Sequence, residues 1–189
     1  MCIRDRIMET RDINIRGKHN LYNSLAAAIS ARSFGIRNEI ISSTLKAFPG
    51  VEHRIEFTRE LNGVKFFNDS KATNVESMIV ALEAFEGNLI LIMGGREKGN
   101  DYSSVNDLVK NRVKTIVAVG ESRENIARHF GSIVRVIEAT SMEDAVAKAY
   151  GASIPGDNVL LSPACKSFDM FESYEHRGEV FKKIVNSLK

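Results

Sequence analysis

From about residue 87 onwards the chain alternates between short apolar runs and amphipathic stretches, and this alternation limits its possible folds more than any other feature. The runs have the length of strands and are rich in β-branched residues, while the stretches place apolar residues at helical spacing. The predicted strands cover residues 89–93, 115–119, 133–137 and 158–161. The predicted helices cover residues 102–111, 122–129, 141–150 and 174–188. Strand–helix alternation at this spacing predicts the α/β fold class, with a mostly parallel sheet flanked by helices.

The segment before residue 87 has a different pattern. Residues 20–34 form a predicted alanine-rich helix closed by Gly35, and residues 38–48 form a second predicted helix. Further on, Asn62-Gly63 predicts a β-hairpin between residues 54–61 and 64–67. Because two helices without strands cannot bury a core of their own, we predict that residues 1–50 are the tail of another domain and residues 51–189 the α/β domain. A helical appendage docked on the α/β domain is the alternative that composition leaves open.

Composition excludes several classes of function. The 26 basic and 24 acidic side chains leave a net charge of +2, and the two signs are interspersed, which argues against a nucleic-acid-binding protein. Cys2 and Cys165 have neither CxxC spacing nor His partners, so we expect no disulfide framework and no metal site, and we interpret Cys165 as a small buried residue. The longest apolar runs have strand length and the N-terminus is charged, so we expect a soluble, cytoplasmic protein without a membrane segment.

The loop after the predicted strand at residues 64–67 is unusually polar. Asn68-Asp-Ser-Lys-Ala-Thr-Asn74 supplies an acid, an ammonium group, two hydroxyls and two amides, and a helix follows it. Capping that helix requires only Thr73 or Asn74, and leaves Asp69 and Lys71 unexplained. The exposed amides of a helix start favour an anion, and Lys71 adds a full positive charge. We therefore favour an anion-binding loop over an ordinary capped helix.

Two more loops follow predicted strands, where ligands bind in α/β sheets. Gly94-Gly-Arg-Glu-Lys-Gly-Asn-Asp101 lets backbone amides approach a ligand, and Lys98 can bind a carboxylate or phosphate. Its spacing fits neither GxGxxG nor GxxxxGK[ST], and glycine-rich turns are common for steric reasons. In Ser162-Pro-Ala-Cys-Lys-Ser-Phe-Asp-Met-Phe171, Ser167 offers a hydroxyl and a backbone amide. Phe168, Phe171 and Tyr174 could wall a pocket, although each aromatic residue could equally belong to the core.

Two upstream clusters are weaker candidates. Asn20 and Asn23 are three residues apart on one helical face, where two amides could bind the edge of a base, although Asn20 could instead be an N-cap. Arg54 could bind a phosphate or a ribose, and an exposed ion pair with Glu56 is the alternative.

Together these segments resemble the Mur ligase family, and the resemblance covers about residues 13–189. The matching segments occur in the family's order: Gly17-Lys-His-Asn-Leu-Tyr-Asn23, His53-Arg-Ile-Glu56, and residues 68–74, 94–101 and 162–171. The first and last of the three loops are most similar to those of the D-glutamate-adding members. The Asp-Asn-Pro-Arg motif of the relatives that add diaminopimelate or lysine is absent from the sequence. The resemblance implies a C-terminal Rossmann-like domain at residues 51–189, preceded by the helical remnant of a central ATPase domain.

The resemblance also implies a role for each matching residue. Asn20 and Asn23 match residues that contact adenine, while Arg54 and Asp69 match residues around the ribose and phosphates of the nucleotide. The positions that hold D-glutamate are matched by Thr73, Lys98, Ser167, Phe168 and Tyr174, with Lys71 beside them. No residue of the chain is assigned a catalytic or metal-binding role.

The reaction that the resemblance implies belongs to peptidoglycan synthesis. ATP and Mg²⁺ activate UDP-N-acetylmuramoyl-L-alanine as an acyl phosphate, and the amine of D-glutamate then displaces phosphate to form an amide. Because the chain lacks GxxxxGK[ST], we expect the Mg²⁺ ligands and the UDP-binding domain to lie in missing N-terminal domains, and we expect the chain alone to be inactive and to bind no cofactor tightly. A ligase of the same family for another amino acid and a non-catalytic nucleotide- or amino-acid-binding module are the alternatives.

Overall fold

The structure is a computed structural model that describes residues 6–15, 17–97 and 99–189. The chain divides into two compact units, with the boundary between Val51 and Glu52. In the described residues, no helix has both the length and the apolar character needed to cross a membrane.

The first unit is helical. A 3₁₀ turn, Thr10–Asp12, precedes helices α1 (Lys18–Ser33) and α2 (Asn38–Ala47). Helix α1 begins two residues before its predicted start, because the Gly17 carbonyl accepts hydrogen bonds from the backbone N–H groups of Asn20 and Leu21. Asn20 therefore lies inside the first turn, and its interpretation as the N-cap is wrong.

The second unit is a six-stranded sheet with helices on both faces, which confirms the predicted fold class. Its strands are β1 (Glu56–Leu61), β2 (Val64–Asn68), β3 (Leu89–Gly94), β4 (Val113–Val119), β5 (Arg135–Ala139) and β6 (Asn158–Leu161). Its helices are α3 (Val75–Glu83), α4 (Asn106–Arg112), α5 (Arg123–Phe130), α6 (Met142–Gly151) and α7 (Tyr174–Ser187). The strand order is β1-β2-β6-β3-β4-β5, and every neighbouring pair is parallel except β1 and β2.

The β1–β2 hairpin turns at Asn62-Gly63, as predicted. Both residues have positive φ, 51° and 77°, which is the backbone geometry of the two-residue hairpin turn that Asn-Gly favours. Strand β1 begins at Glu56 and not at residue 54. The cause is the positive φ of His53 and Ile55, 63° and 46°, which interrupts the extended backbone just before the strand.

The sheet has one hydrophobic core on each face. Helices α3, α4 and α5 pack against Leu89, Leu91 and Met93 on one face, and α6 and α7 cover Ile90 and Ile92 on the other. This alternation along β3 follows from the two-residue period of side chains in a strand. Since β3 is buried on both faces, it reads in the sequence as one continuous apolar run.

Two predicted boundaries in this unit are wrong for local reasons. The backbone N–H groups of Ile133 and Val134 bond to the carbonyl of Phe130, so these residues finish a turn after α5, and β5 starts only at Arg135. The helix predicted at 102–111 starts as a 3₁₀ turn, Ser103–Val105, and becomes α-helical from Asn106. Apolar periodicity continues through both turns, and therefore cannot mark where they end.

The strand order determines where a ligand can bind. Strand β6 lies between β2 and β3, although it follows both in the chain. The helix after β6 covers the opposite face from the helices after β2 and β3. The carboxyl edge around β6 is therefore a topological switch point, which is where ligands bind in open α/β sheets.

The close pairing of β3 and β4 at this edge yields a stability prediction. Gly94 has a φ of 120°, and a Cβ there would lie 2.0 Å from the Val119 carbonyl oxygen. We expect Gly94→Ala to lower the free energy of unfolding by about 2 kcal/mol or more, since backbone strain and overpacking each cost about 1–3 kcal/mol. Gly151→Ala is the control, because a Cβ at this helical position meets nothing within 4 Å. Urea denaturation of both variants measures the effect, and equal midpoints would contradict it.

Candidate functional site

Three loops leave the carboxyl ends of β2, β3 and β6, and hydrogen bonds join them. We call them the switch-point loops: residues 69–74, 95–102 and 162–173. The backbones of Arg96 and Lys166 exchange two hydrogen bonds, of 3.0 and 3.1 Å. The Ser162 hydroxyl donates to Asp69 Oδ2 at 2.9 Å. The structure thus brings together the three loops that the sequence identified separately.

Asp69 is buried where the first and third switch-point loops meet. Besides the Ser162 hydroxyl, its carboxylate accepts a hydrogen bond from the Ile55 backbone N–H, at 3.2 Å to Oδ1. Burial raises the pKa of Asp69 to about 7, and the two hydrogen bonds and the charge of Arg54 oppose this rise only in part. Arg54 itself is exposed. The two predicted nucleotide residues are therefore near each other in space, one buried and one available to an incoming anion.

A buried polar cluster beside Asp69 was not identified from the sequence. The Asn68 Nδ2 group donates to His53 Nδ1 at 2.9 Å and to Glu56 Oε2 at 3.0 Å, while Asn68 Oδ1 accepts from Ser70 N. Because His53 Nδ1 accepts, the neutral His53 ring carries its proton on Nε2.

Glu56 also accepts from Lys182 Nζ at 3.1 Å, so its ion pair is with Lys182 and not with Arg54.

Lys71 and Tyr174 form a pair in the middle of the site. Lys71 Nζ donates to the Tyr174 hydroxyl at 3.2 Å and lies 5.2 Å from the centre of the ring. Tyr174 is the first residue of α7 and directly follows the third switch-point loop. Its contact with Lys71 therefore links the third loop to the first loop. Thr73 is partly buried just before Asn74. Asn74 caps α3 by accepting from Ser77 N at 2.8 Å, which leaves the Thr73 side chain without a capping role.

Residues of the third switch-point loop differ in how deeply they are buried. Ser167 is buried, and its carbonyl accepts from Met170 N and Phe171 N at 3.1 and 2.9 Å. Phe171 packs against the core under α6 and α7, whereas 56% of Phe168 is exposed. Phe171 is therefore core, whereas Phe168 lies at the surface and its role stays a prediction.

Lys98 lies outside the described residues, but its neighbours show how its loop is held. Asn100 Nδ2 donates to the Ala164 carbonyl at 3.0 Å, and the Tyr102 hydroxyl donates to Glu97 Oε2 at 3.2 Å. The second switch-point loop is thus fixed on both sides of Lys98. The role of Lys98 stays a prediction.

Cys165 and Ser122 lie beneath these loops. Burial raises the pKa of the Cys165 thiol, which confirms the interpretation of this residue as a small buried side chain. The Ser122 hydroxyl accepts from Gly95 N at 3.2 Å. Ser122 makes no side-chain cap bond to α5, although it directly precedes that helix.

Arg177 is the main residue that the sequence analysis missed. It lies in the first turns of α7, is 2% exposed, and donates to Ser70 Oγ, the Ser70 carbonyl and the Cys165 carbonyl at 2.9, 2.8 and 3.1 Å. Burial lowers its pKa to about 10, so the guanidinium remains charged at neutral pH. A signal was available, since Arg177 precedes the buried Phe181 and Val185 by four and eight residues and therefore shares their apolar face.

Asn20 and Asn23 belong to the first unit. Both lie in α1, three residues apart, and Asn23 is exposed while Asn20 is partly buried. Among the residues that the structure describes, no three His, Cys, Asp or Glu side chains group closely enough to hold a metal ion.

Fold and site together define an α/β domain whose polar loops meet at a topological switch point. The family model for "Mur ligase, glutamate ligase domain" matches residues 53–165, more than half of the chain. The chain belongs to the Mur ligase family.

Two curated relatives share nearly half of their aligned residues with the chain. The UDP-N-acetylmuramoylalanine–D-glutamate ligase of Solibacter usitatus is 46% identical over 97% of this chain and 41% of its own length. The enzyme of that name from Salinibacter ruber is 48% identical over 97% of this chain and 40% of its own length. The chain thus spans about 40% of the length of these relatives.

A solved structure supports the fold. The UDP-N-acetylmuramate-alanine ligase of Thermotoga maritima superposes with a TM-score of 0.68 at 17% identity, covering 93% of this chain and 39% of that one.

The raised pKa of Asp69 predicts a specific pH dependence of stability. The folded chain keeps a proton on Asp69 up to about pH 7, whereas the unfolded chain loses it near the ordinary value of 3.8. The stability that the neutral carboxyl contributes is therefore complete below about pH 3.8 and is lost progressively as pH rises from there to about 7. Asp69→Asn removes this loss, so its stability should rise relative to the parent chain between pH 4 and 7, by at most about 1.4 kcal/mol per pH unit.

Urea denaturation at half-unit steps of pH measures this difference. Asp107→Asn, an exposed position on α4, is the matched control and should leave the slope unchanged. Parallel profiles for the parent chain and Asp69→Asn would show that Asp69 ionises normally.

Proposed function

We propose that this chain is the C-terminal, D-glutamate-binding part of an ATP-dependent ligase that adds D-glutamate to UDP-N-acetylmuramoyl-L-alanine in peptidoglycan synthesis. The observation that carries the proposal is the identity of 46% and 48%, across 97% of the chain, to relatives of that name. A cytoplasmic location belongs to the same proposal. We also propose that residues 1–50 are the end of a central ATPase domain, and the division of the chain after Val51 supports this assignment.

The proposed amino-acid site lies among the switch-point loops. D-glutamate carries two carboxylates, which require cations and hydroxyl or amide donors. Lys71, Thr73 and Tyr174 lie on the first loop and at the start of α7, and the Lys71–Tyr174 contact holds the ammonium group of Lys71 in place. Lys98, Ser167 and Phe168 complete the proposed set, and the hydrogen bonds between described residues of the second and third loops support this grouping.

For the nucleotide, Asn20 and Asn23 keep a proposed adenine-binding role within the first unit. Within the second unit, Arg54 and Asp69 keep a proposed role in binding the ribose and phosphates. Asp69 already accepts one hydrogen bond at each carboxylate oxygen and has acceptor capacity left for a ribose hydroxyl. Arg54 is exposed and can pair with a phosphate. ATP and Mg²⁺ are proposed as cofactors of the longer enzyme, and we assign no Mg²⁺ ligand to this chain.

In the proposed reaction, ATP supplies the phosphoryl group that converts the substrate carboxylate into an acyl phosphate. The amine of D-glutamate attacks the acyl carbon, the C–N bond forms, and the C–O bond to the departing phosphate breaks. The residues of this chain bind and orient D-glutamate for that attack, which makes their contribution one of positioning and charge neutralisation.

The chain alone should neither hydrolyse ATP nor form the amide. Its sequence contains no GxxxxGK[ST] loop to hold the phosphates of ATP. Phosphate release and amide formation are measured with the purified chain against a no-enzyme control, and with the longer enzyme as the positive control. Turnover that survives repurification would contradict this expectation.

In the longer enzyme, Lys98→Ala should impair the use of D-glutamate far more than the use of ATP. Losing one charge-assisted hydrogen bond to a carboxylate costs about 1.5–3 kcal/mol, or roughly a tenfold to hundredfold rise in KM for D-glutamate. Lys98→Arg should recover only part of the loss, because the planar guanidinium is larger and differently hydrated. Lys110→Ala, at an exposed position on α4, is the matched control.

Steady-state kinetics with each substrate varied in turn separates the possibilities. An unchanged KM for D-glutamate would remove Lys98 from the site. Trials with L-alanine, L-lysine and L-glutamate as alternative acceptors test the amino-acid specificity, and a preference for any of them would overturn the proposed substrate.

A further inference from the structure

Arg177 is a buried cation whose hydrogen-bond acceptors are neutral. Its three acceptors belong to Ser70 and Cys165, and none of them is a carboxylate oxygen. Among the described residues no ion pair involves Arg177. Asp169 acts on it only electrostatically, and Asp169 Oδ2 accepts from the backbone N–H of Glu121 at 3.0 Å. The positive charge of Arg177 is therefore not neutralised by a direct partner.

The position of Arg177 in α7 is unfavourable for the helix itself. It lies in the first turns after Tyr174, where the N-terminal end of the helix dipole disfavours a cation, and burial adds a desolvation cost. Helix stability therefore does not explain why a guanidinium lies here. The hydrogen bonds of Arg177 do explain its position, because both of its partners, Ser70 and Cys165, belong to switch-point loops.

Arg177 hydrogen-bonds to two of the switch-point loops and lies close to the remaining one. It holds the first loop by two bonds to Ser70 and the third by one bond to the Cys165 carbonyl. The second loop passes nearby, since a Cβ added to Gly95 would lie 3.4 Å from Arg177 Nη1. Ser70 in turn donates to the Tyr174 carbonyl at 2.7 Å, so the start of α7 is tied into the same set of bonds.

We infer that Arg177 is a positioning residue for the amino-acid substrate: it fixes the spacing of the three switch-point loops and places a permanent positive charge behind the site that binds the substrate's carboxylates. It acts through Ser70 and Cys165 and does not itself touch the ligand. The inference rests on the proposed function, since it takes an anionic amino acid as the ligand. The planar fork of arginine can bond two loops at once, which the single ammonium group of lysine cannot.

The test uses the longer enzyme with Arg177→Met and Arg177→Lys, and measures KM for D-glutamate, KM for ATP, kcat and the thermal unfolding temperature. Arg177→Met should raise KM for D-glutamate roughly tenfold to hundredfold, as expected for the loss of charge-assisted bonds, and leave KM for ATP within about threefold. Arg177→Lys keeps the charge and loses the fork, so its KM for D-glutamate should lie between those of the parent enzyme and Arg177→Met.

Arg112→Met is the matched control. Arg112 also donates to backbone carbonyls, those of Leu82, Glu83 and Phe85, but it lies at the end of α4 near the amino edge of the sheet. A purely structural effect of losing such an arginine should lower the unfolding temperature of both Met variants. Only the Arg177 variants should change KM for D-glutamate.

Three results would overturn the inference: equal rises in both KM values for Arg177→Met, an unchanged KM for D-glutamate, or complete recovery by Arg177→Lys. If Arg177→Met does not fold, Arg177→Lys decides by the same comparison of KM values. A parent enzyme that does not use D-glutamate would instead refute the proposed function. The two failures are thus distinguishable.

Discussion

Strand β6 pairs with β2 on one side and β3 on the other, and the whole site depends on this insertion. Its register aligns Leu161 with Asn68 of β2 and with Ile92 of β3, so the three strands end near the same level. The segment of only four residues is buried on both faces, and a shift by one residue would exchange the two cores. Hydrophobic packing of β6 therefore places polar loops that are far apart in sequence next to one another.

The loops that meet at the end of β6 bury several polar side chains next to one another, which is unfavourable unless each of them is hydrogen-bonded. Asn68, Asp69 and Ser70 follow one another, and each is at most 4% exposed. The side chain of Asn68 bonds to His53 and Glu56, and that of Asp69 bonds to Ser162 and Ile55. The hydroxyl of Ser70 bonds to Tyr174 and Arg177. Because an unsatisfied buried polar group is costly, each of these bonds restricts the geometry of the next. The network therefore favours one arrangement of the loops before any ligand binds.

Local signals in the sequence predicted much of this architecture, and long-range contacts account for what they missed. The strand at 158–161, the Asn62-Gly63 turn and the polar loop before α3 are set by nearby residues, and all three are found. The His53–Asn68 bond spans 15 positions, and Arg177 reaches Ser70 across 107. Local propensity contains no information on such pairs. The apolar periodicity of α7 did place Arg177 on the buried face, but it did not indicate a partner.

The anion-binding site that we propose rests on burial and not on composition. The chain as a whole carries a net charge of only +2, with interspersed signs. At the switch point, burial raises the pKa of Asp69 to about 7 and so removes much of its negative charge near neutral pH, whereas Arg177 keeps its positive charge with a pKa of about 10. Lys71 adds a second cation within the same set of loops. Desolvation thus acts unequally on the acid and on the base: it favours the neutral form of Asp69 but leaves Arg177 charged, which supports the proposal of a dicarboxylate ligand.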